Sequence, residues 1–118
     1  MRIEFDDLGW DDAQRAVTAD GPVTGEVAEH DGNGKTVALI SYQGGFKHGR
    51  EQRYFPDGTL RYQGEWTHGR GVGVHQAWYA SGQLKEERHY SETGRLIQVR
   101  RWAEDGTAIG RQRPRPSP

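Results

Sequence analysis

The sequence predicts an all-β protein, an elongated, curved, single-layer antiparallel sheet of tandem 24-residue β-hairpins. Three observations predict it. Gly34, Gly58, Gly82 and Gly106 stand 24 residues apart, with no insertion between any pair. Two aromatic columns keep the same register: His30, Tyr54, Trp78 and Trp102, and then Tyr42, Trp66 and Tyr90. Hydrophobic residues make up 32% of the 118, too few to line both inner faces of a sandwich but enough for one layer.

Residues 1–24 lie outside the register and read as an acidic N-terminal extension or cap. Within it, Asp11-Asp12-Ala13-Gln14-Arg15-Ala16 reads as a short helical turn capped by aspartate. Ala19-Asp20-Gly21-Pro22 reads as a turn. The repeat region, 25–110, divides into units 25–48, 49–72, 73–96 and a shortened 97–110. Each unit reads as two strands around an apex. In Pro56-Asp57-Gly58 the proline presets φ, the aspartate accepts backbone hydrogen bonds and the glycine takes positive φ. Gly32-Asn33-Gly34, Ala80-Ser81-Gly82 and Glu104-Asp105-Gly106 are its equivalents. Between units, Gln43-Gly44-Gly45, Thr67-His68-Gly69 and Glu92-Thr93-Gly94 read as looser links. The tail 111–118, rich in proline and arginine, reads as flexible and extended.

Side chains alternate along a strand, which sorts the columns by face. On strict alternation both aromatic columns, with Leu60 and Leu84, should share one face. Arg61, Gln63, Glu65, Lys85, Glu87 and His89 should share the solvated one.

No cysteine is present, so disulfides and thiolate metal sites are excluded. The N-terminus has no apolar signal-type run, and no segment approaches the roughly 20 apolar residues of a membrane span. The expectation is a cytoplasmic protein. The net charge of -1 hides an asymmetry: residues 1–31 stand at -7 and the remainder at +6. Asp6, Asp7, Asp11 and Asp12 form an acidic region suited to a basic partner surface.

The stretches Tyr54-Phe55-Pro56-Asp57-Gly58-Thr59-Leu60 and Trp78-Tyr79-Ala80-Ser81-Gly82-Gln83-Leu84 resemble the MORN repeat variant. So do the links Phe46-Lys47-His48-Gly49 and Trp66-Thr67-His68-Gly69. In bacteria this variant marks YwqK-type antitoxin or immunity-like proteins. The resemblance spans about 25–110. Its fourth unit departs, with Ile97, Ala103 and Ala108 where glycine, tyrosine and leucine are expected. The resemblance implies a curved sheet of hairpins without a bound cofactor, acting by binding protein.

Catalytic chemistry finds little support. Glu86 and Glu87 are strand neighbours and point to opposite faces, so they cannot share a proton. The five histidines lack metal-ligand spacing, although His75 and His89 could face each other across the third hairpin. Gly69-Arg70-Gly71-Val72-Gly73 does not open a helix, which argues against a phosphate cradle. No enzyme activity, metal or cofactor is therefore expected. Arginines mixed with aromatics make single-stranded nucleic acid a rival, but a pI of about 6.5 argues against it. Lipid binding ranks with it, and no polybasic cluster supports that.

The reading is a protein-binding module, antitoxin- or immunity-like, that occludes a partner protein such as a toxin encoded nearby. Tyr54, Trp66, Trp78, Tyr90 and Trp102, together with Asp6, Asp7, Asp11 and Asp12, form the expected contact. A generic scaffold or a homo-oligomer joined through exposed sheet edges is the alternative.

Overall fold

Each apex closes because its glycine adopts a left-handed backbone that side chains resist. At the second apex the Gly58 N–H donates to the Phe55 carbonyl at 2.8 Å, and the Phe55 N–H to the Thr59 carbonyl at 2.8 Å. Gly58 sits at φ +91°, and Gly34, Gly82 and Gly106 repeat the geometry at +81°, +94° and +90°. The computed structural model that shows this describes residues 3–109, and the tail 111–118 lies outside the described residues.

In chain order the elements are β1 (Ile3–Glu4), a 3-10 turn at Phe5–Asp7, β2 (Gly9–Trp10), β3 (Ala16–Thr18), β4 (Gly21–Pro22), β5 (Gly25–His30) and β6 (Thr36–Gln43). There follow β7 (Phe46–Tyr54), β8 (Leu60–Thr67), β9 (Arg70–Trp78), β10 (Leu84–Tyr90) and β11 (Leu96–Arg101). One eight-stranded open sheet runs β1-β5-β6-β7-β8-β9-β10-β11, antiparallel throughout except for the short parallel pair β1–β5. Strands β2, β3 and β4 form a separate small sheet. The body is elongated, 52 × 35 × 19 Å.

The links are tighter than the sequence suggests. Gln43 pairs with Phe46 and Thr67 with Arg70, leaving two-residue turns with positive φ at both central positions: Gly44 +57° and Gly45 +91°, then His68 +49° and Gly69 +81°. Such turns match the twist of the strands they join. The third link differs because Thr93 stands where Gly45 and Gly69 stand, and a β-branched residue resists that backbone. The turn lengthens by using Gly94 at φ +85°, so Ser91 to Arg95 repeats the apex pattern.

Residues 11–16 are not a helical turn. The Asp11 carboxylate accepts the Ala13 and Arg15 N–H groups at 3.0 and 2.9 Å, as the Asp31 carboxylate accepts those of Asn33 and Lys35. The same aspartate chemistry that would cap a helix here closes a hairpin between β2 and β3. The segment then folds onto the array. Ala16 and Val23 join Val27, Ala38, Ile40 and Tyr42 in the core, with Ile3, Phe5 and Leu8 packed against it. Burial of a side chain such as Ile40 contributes about 1.5–3 kcal/mol.

The cap also seats the first link. The Ala16 N–H donates to the Gly45 carbonyl at 2.7 Å, and the Gly45 N–H to that of Val23 at 2.8 Å. One unit later the Gly69 N–H donates to the Lys47 carbonyl at 2.7 Å. One further on, Gly94 lies against the side chain of Arg70. Each link rests on the one before it, and Arg15-Ala16 stands in for the link that precedes the first unit. Among the described residues the fourth unit is reduced to β11 and a bridge, Trp102 to Ala108.

The two aromatic columns lie on opposite faces. Tyr54 pairs with Leu60 while Arg53 pairs with Tyr62, so Arg61 is an extra residue that shifts the alternation. Lys85 does the same between Leu84 and Glu86. Tyr42, Trp66 and Tyr90 therefore share the core face, and Tyr54, Trp78 and Trp102 share the other.

Candidate functional site

The 24-residue register allows the core face to be compared unit by unit. In the first unit it carries Val27, Ala38 and Ile40, all buried beneath the cap. The equivalent positions in the second unit are Glu51, Tyr62 and Gly64, and in the third His75, Glu86 and Arg88. The cap does not reach them. Where it ends, a shallow groove of about 550 Å³ opens, lined by Lys47, Glu51, Arg53, Tyr62, Trp66, Tyr79 and the bulge residues Arg61 and Lys85.

Glu51 lies at the base of this groove, 2% exposed. Its two carboxylate oxygens accept Lys47 Nζ at 2.9 Å and Arg53 Nε at 2.6 Å. Burial alone would raise its pKa, but the hydrogen bonds and charges of Lys47 and Arg53 outweigh it and hold the carboxyl below the usual glutamate range. Glu86 behaves likewise: burial opposes ionisation, while Arg101 and Arg88 at 2.7 and 2.8 Å favour it more strongly.

His75 is the second buried polar group of the face, 7% exposed. Its Nε2 lies 2.8 Å from the Glu65 carbonyl, which can only accept, so Nε2 carries the proton. In that tautomer Nδ1 accepts from the Tyr62 hydroxyl. The rings of Tyr62, Trp66 and Tyr90 surround the imidazole, with centroids 5.8, 5.4 and 4.9 Å away. The absent side chain of Gly64 makes the room, since a Cβ there would collide with the His75 ring and the Tyr62 hydroxyl. Burial first, and then the Glu51 charge, push the Tyr62 phenol well above its usual pKa. The Trp66 indole N–H is buried beside this cluster with no hydrogen-bond partner among the described residues.

The cations of the groove divide into two kinds. Lys47 and Arg53 are held by Glu51, with Lys47 also 4.7 Å above the Trp66 ring. Arg61 and Lys85 pair with no carboxylate among the described residues, and Lys85 lies 5.5 Å above the Tyr79 ring. Both were assigned to the solvated face by strict alternation, and the bulge is what places them on the groove. The groove thus offers two positive charges that no carboxylate pairs among the described residues, one of them over an aromatic ring, an arrangement that recognises carboxylate-bearing surfaces.

The opposite face is a polar ladder. Gln52, Gln63, Gln76, Glu87 and Arg100 pair in register across five strands. Gln63 donates to Gln76 at 3.0 Å, Gln76 to Glu87 at 2.9 Å, and His89 contacts Glu87 at 2.8 Å. His89 therefore does not face His75: it pairs with Val74, on the other side of the sheet. Among the described residues no three histidines or carboxylates gather as a metal would require.

The expected contact residues are accordingly dispersed. Trp66 and Tyr90 wall the His75 cluster. Tyr54 bonds Gln52 on the opposite face at 3.3 Å, Trp78 pairs with Leu84 and also borders the groove beside Tyr79, and the Trp102 carbonyl accepts the Tyr79 hydroxyl at 2.8 Å. All five are half-buried, so packing accounts for much of each ring. On the cap, Asp6, Asp7 and Asp12 are exposed, while Asp11 is engaged by its own turn and by Arg15 at 2.7 Å. Sequence reasoning missed Glu51, and considered His75 only as a partner for His89. The signal was the column Val27, Glu51, His75, Val99, where two polar residues interrupt an apolar series.

No helix among the described residues is long and apolar enough to cross a membrane. No curated protein matches the chain at a meaningful level. A solved structure with some likeness is titled as the GtfA/B complex bound to UDP and GlcNAc. It aligns at a TM-score of 0.38 and 17% identity, covering 80% of this chain and 19% of that one. This chain thus spans about a fifth of that relative's length. The central hairpins, which carry the groove, are similar to a described repeat class: residues 47–68 and 72–92 match the MORN repeat variant.

Proposed function

We propose that this chain is a non-catalytic repeat module that binds and occludes a partner protein, in the manner of a bacterial cytoplasmic antitoxin or immunity protein. One observation carries the reading. At repeat-equivalent positions the core face is apolar where the cap covers it, and polar, cationic and aromatic where it is uncovered. A surface kept merely soluble has no need of aromatic walls and unpaired cations around a concavity. The similarity to the MORN repeat variant supports a module that binds protein or membrane. Protein is favoured because each unpaired cation lies in a walled groove, whereas a membrane surface is met by clustered, projecting basic residues.

The titratable groups of the groove are consumed in pairing: Glu51 by Lys47 and Arg53, His75 by Tyr62 and the Glu65 carbonyl. That favours recognition over acid–base chemistry. The exposed Asp6, Asp7 and Asp12 would supply a second, acidic contact to basic residues of the partner, the toxin-like protein of this reading.

Expression of the neighbouring open reading frame, alone and with this chain, tests the proposal. Toxicity relieved by co-expression, with a complex that co-purifies, is the expected result. The double variant Arg61→Glu/Lys85→Glu should weaken that complex about tenfold or more while leaving thermal unfolding unchanged. A harmless neighbour together with no specific protein partner would overturn it.

A further inference from the structure

The groove stands where, one period earlier, the chain seats a segment of itself. Lys47, Glu51, Tyr62 and Trp66 are the register equivalents of Val23, Val27, Ala38 and Tyr42, all four buried in the core. Over that core lies one stretch of the cap. Its Ile3, Phe5 and Leu8 pack against the core, with the 3-10 turn Phe5–Asp7 among them. The stretch is one backbone wide. It turns apolar side chains inward while Asp6 and Asp7 stay exposed.

In the groove the seat is repeated with its chemistry changed. Among the described residues that line it, Lys47, Arg53, Arg61 and Lys85 are positive and only Glu51 is negative. Glu51 is shared by Lys47 and Arg53, while Arg61 and Lys85 stay exposed. These last two stand one period apart and so two strands apart, which separates their backbones by about 10 Å. Tyr62 and Trp66 keep an apolar floor beneath. The lining runs from β7 to β10, about 14 Å, a distance that four or five extended residues span. A nucleic-acid strand would need its cations in a continuing row, whereas the next cavity along this face holds Arg88 already paired with Glu86 at 2.8 Å.

We propose that the groove takes a short, extended acidic segment of the partner protein. One apolar side chain of that segment rests on Tyr62 and Trp66, as Phe5 and Leu8 rest on the core of the first unit, and carboxylates on either side of it meet Arg61 and Lys85. Surplus positive charge selects the acidic residues, and the aromatic floor selects the apolar one between them. The proposal rests on the reading of this chain as a module that occludes a protein, and adds which part of that protein is held.

Fluorescence anisotropy of the labelled peptide Gly-Asp-Glu-Phe-Glu-Asp-Gly, titrated with the full chain, tests it. Saturable binding is expected, weakened about tenfold or more by Arg61→Glu/Lys85→Glu. Arg50→Glu, the same reversal of charge on the opposite face, should change it less than about twofold. Serine in place of the peptide's phenylalanine should cost about tenfold. A peptide with lysine for every acid should bind the Arg61→Glu/Lys85→Glu variant and not the wild type. Should that variant fold poorly, as its unfolding curve would show, Arg61→Gln/Lys85→Gln serves the same purpose. No binding, or binding that these groove substitutions leave intact, overturns the proposal. So does tighter binding of single-stranded oligothymidylate or of phosphatidylserine vesicles through the same two residues, or self-association of the chain that depends on them. A partner that still co-purifies while the peptide fails overturns this assignment and leaves the occlusion reading in place. A bound peptide, with a harmless neighbour and no co-purifying protein, overturns that reading and not the groove's chemistry.

Discussion

Gln14 occupies, in the Asp11–Arg15 turn, the backbone position that Gly34 occupies in the Asp31–Lys35 turn. The Gln14 N–H donates to the Asp11 carbonyl at 3.0 Å and the Gly34 N–H to that of Asp31 at 3.0 Å, with φ at +64° and +81°. The cap thus closes by the same device as the repeats, but with a side chain where glycine fits without strain. Left-handed backbone costs a residue with a Cβ about 1–2 kcal/mol, and glycine's extra unfolded-state entropy returns about half of that. Gln14→Gly should therefore stabilise the protein by about 0.5–1 kcal/mol in urea unfolding. A neutral or destabilising result would mean that the glutamine side chain makes a compensating contact.

Gly64→Ala should be among the most damaging of the conservative changes. Its Cβ would meet both the His75 ring and the Tyr62 hydroxyl, and neither can retreat without breaking the bond between them. Overpacking of this kind costs about 1–3 kcal/mol. Gly32→Ala is the control, since that Cβ meets nothing within 4 Å and its backbone is not left-handed. It should shift stability by less than about 0.5 kcal/mol. Equal effects for the two would contradict the packing described around His75.

Acid should destabilise the fold through its paired carboxylates. Glu51, Glu86 and Glu87 all titrate below the usual glutamate range in the folded chain. A depressed folded pKa contributes stability that is complete above the unfolded value and disappears as pH falls through the folded one. Unfolding free energy should therefore hold from neutral pH to the glutamate range and fall below it. Glu51→Gln should lose about 2 kcal/mol at neutral pH, because Lys47 and Arg53 lose their shared partner while keeping some access to water. Its stability should also decline less steeply in acid than that of the wild type.

Alkali should act through Tyr62. Its pKa is raised by burial and by the Glu51 charge, and that of Tyr42 is raised mainly by burial. A raised folded pKa contributes stability that is complete below the unfolded value and is lost as pH rises through the folded one. The chain should thus weaken above the ordinary tyrosine range, with part of the phenolate absorbance appearing only on unfolding. Tyr62→Phe should cost about 1–2 kcal/mol at neutral pH, since His75 Nδ1 then loses its donor, yet flatten the alkaline decline. A full phenolate titration before unfolding would contradict the buried position of Tyr62.

Much of the sheet was legible because glycine at a left-handed position has few substitutes, so the apices at Gly34, Gly58, Gly82 and Gly106 stand out by spacing alone. The faces were not. Arg61 and Lys85 each add one residue after an apex, and one residue is enough to send Tyr54 and Trp66 to opposite sides. The cap was misread because an aspartate accepting N–H groups two and four residues on serves a hairpin as readily as a helix start, and Gln14 hid the likeness to Gly34. The groove was the least legible part. Its lining mixes charged and aromatic side chains, and only comparison of Glu51 and His75 with Val27 and Val99 marks those positions as interior ones turned to another use.

The seating of Gly69 on Lys47 and of Gly94 on Arg70, as Gly45 sits on Ala16, means that the interface between successive periods is made locally and repeated. Nothing in it depends on how many periods precede it, so length is an independent variable of this architecture. A second copy of residues 49–72 inserted in frame would add two strands and extend the sheet by about 10 Å, while preserving every existing seat. Lineages carrying such a chain can therefore vary the span they reach across by duplication alone, and tune the surface afterwards.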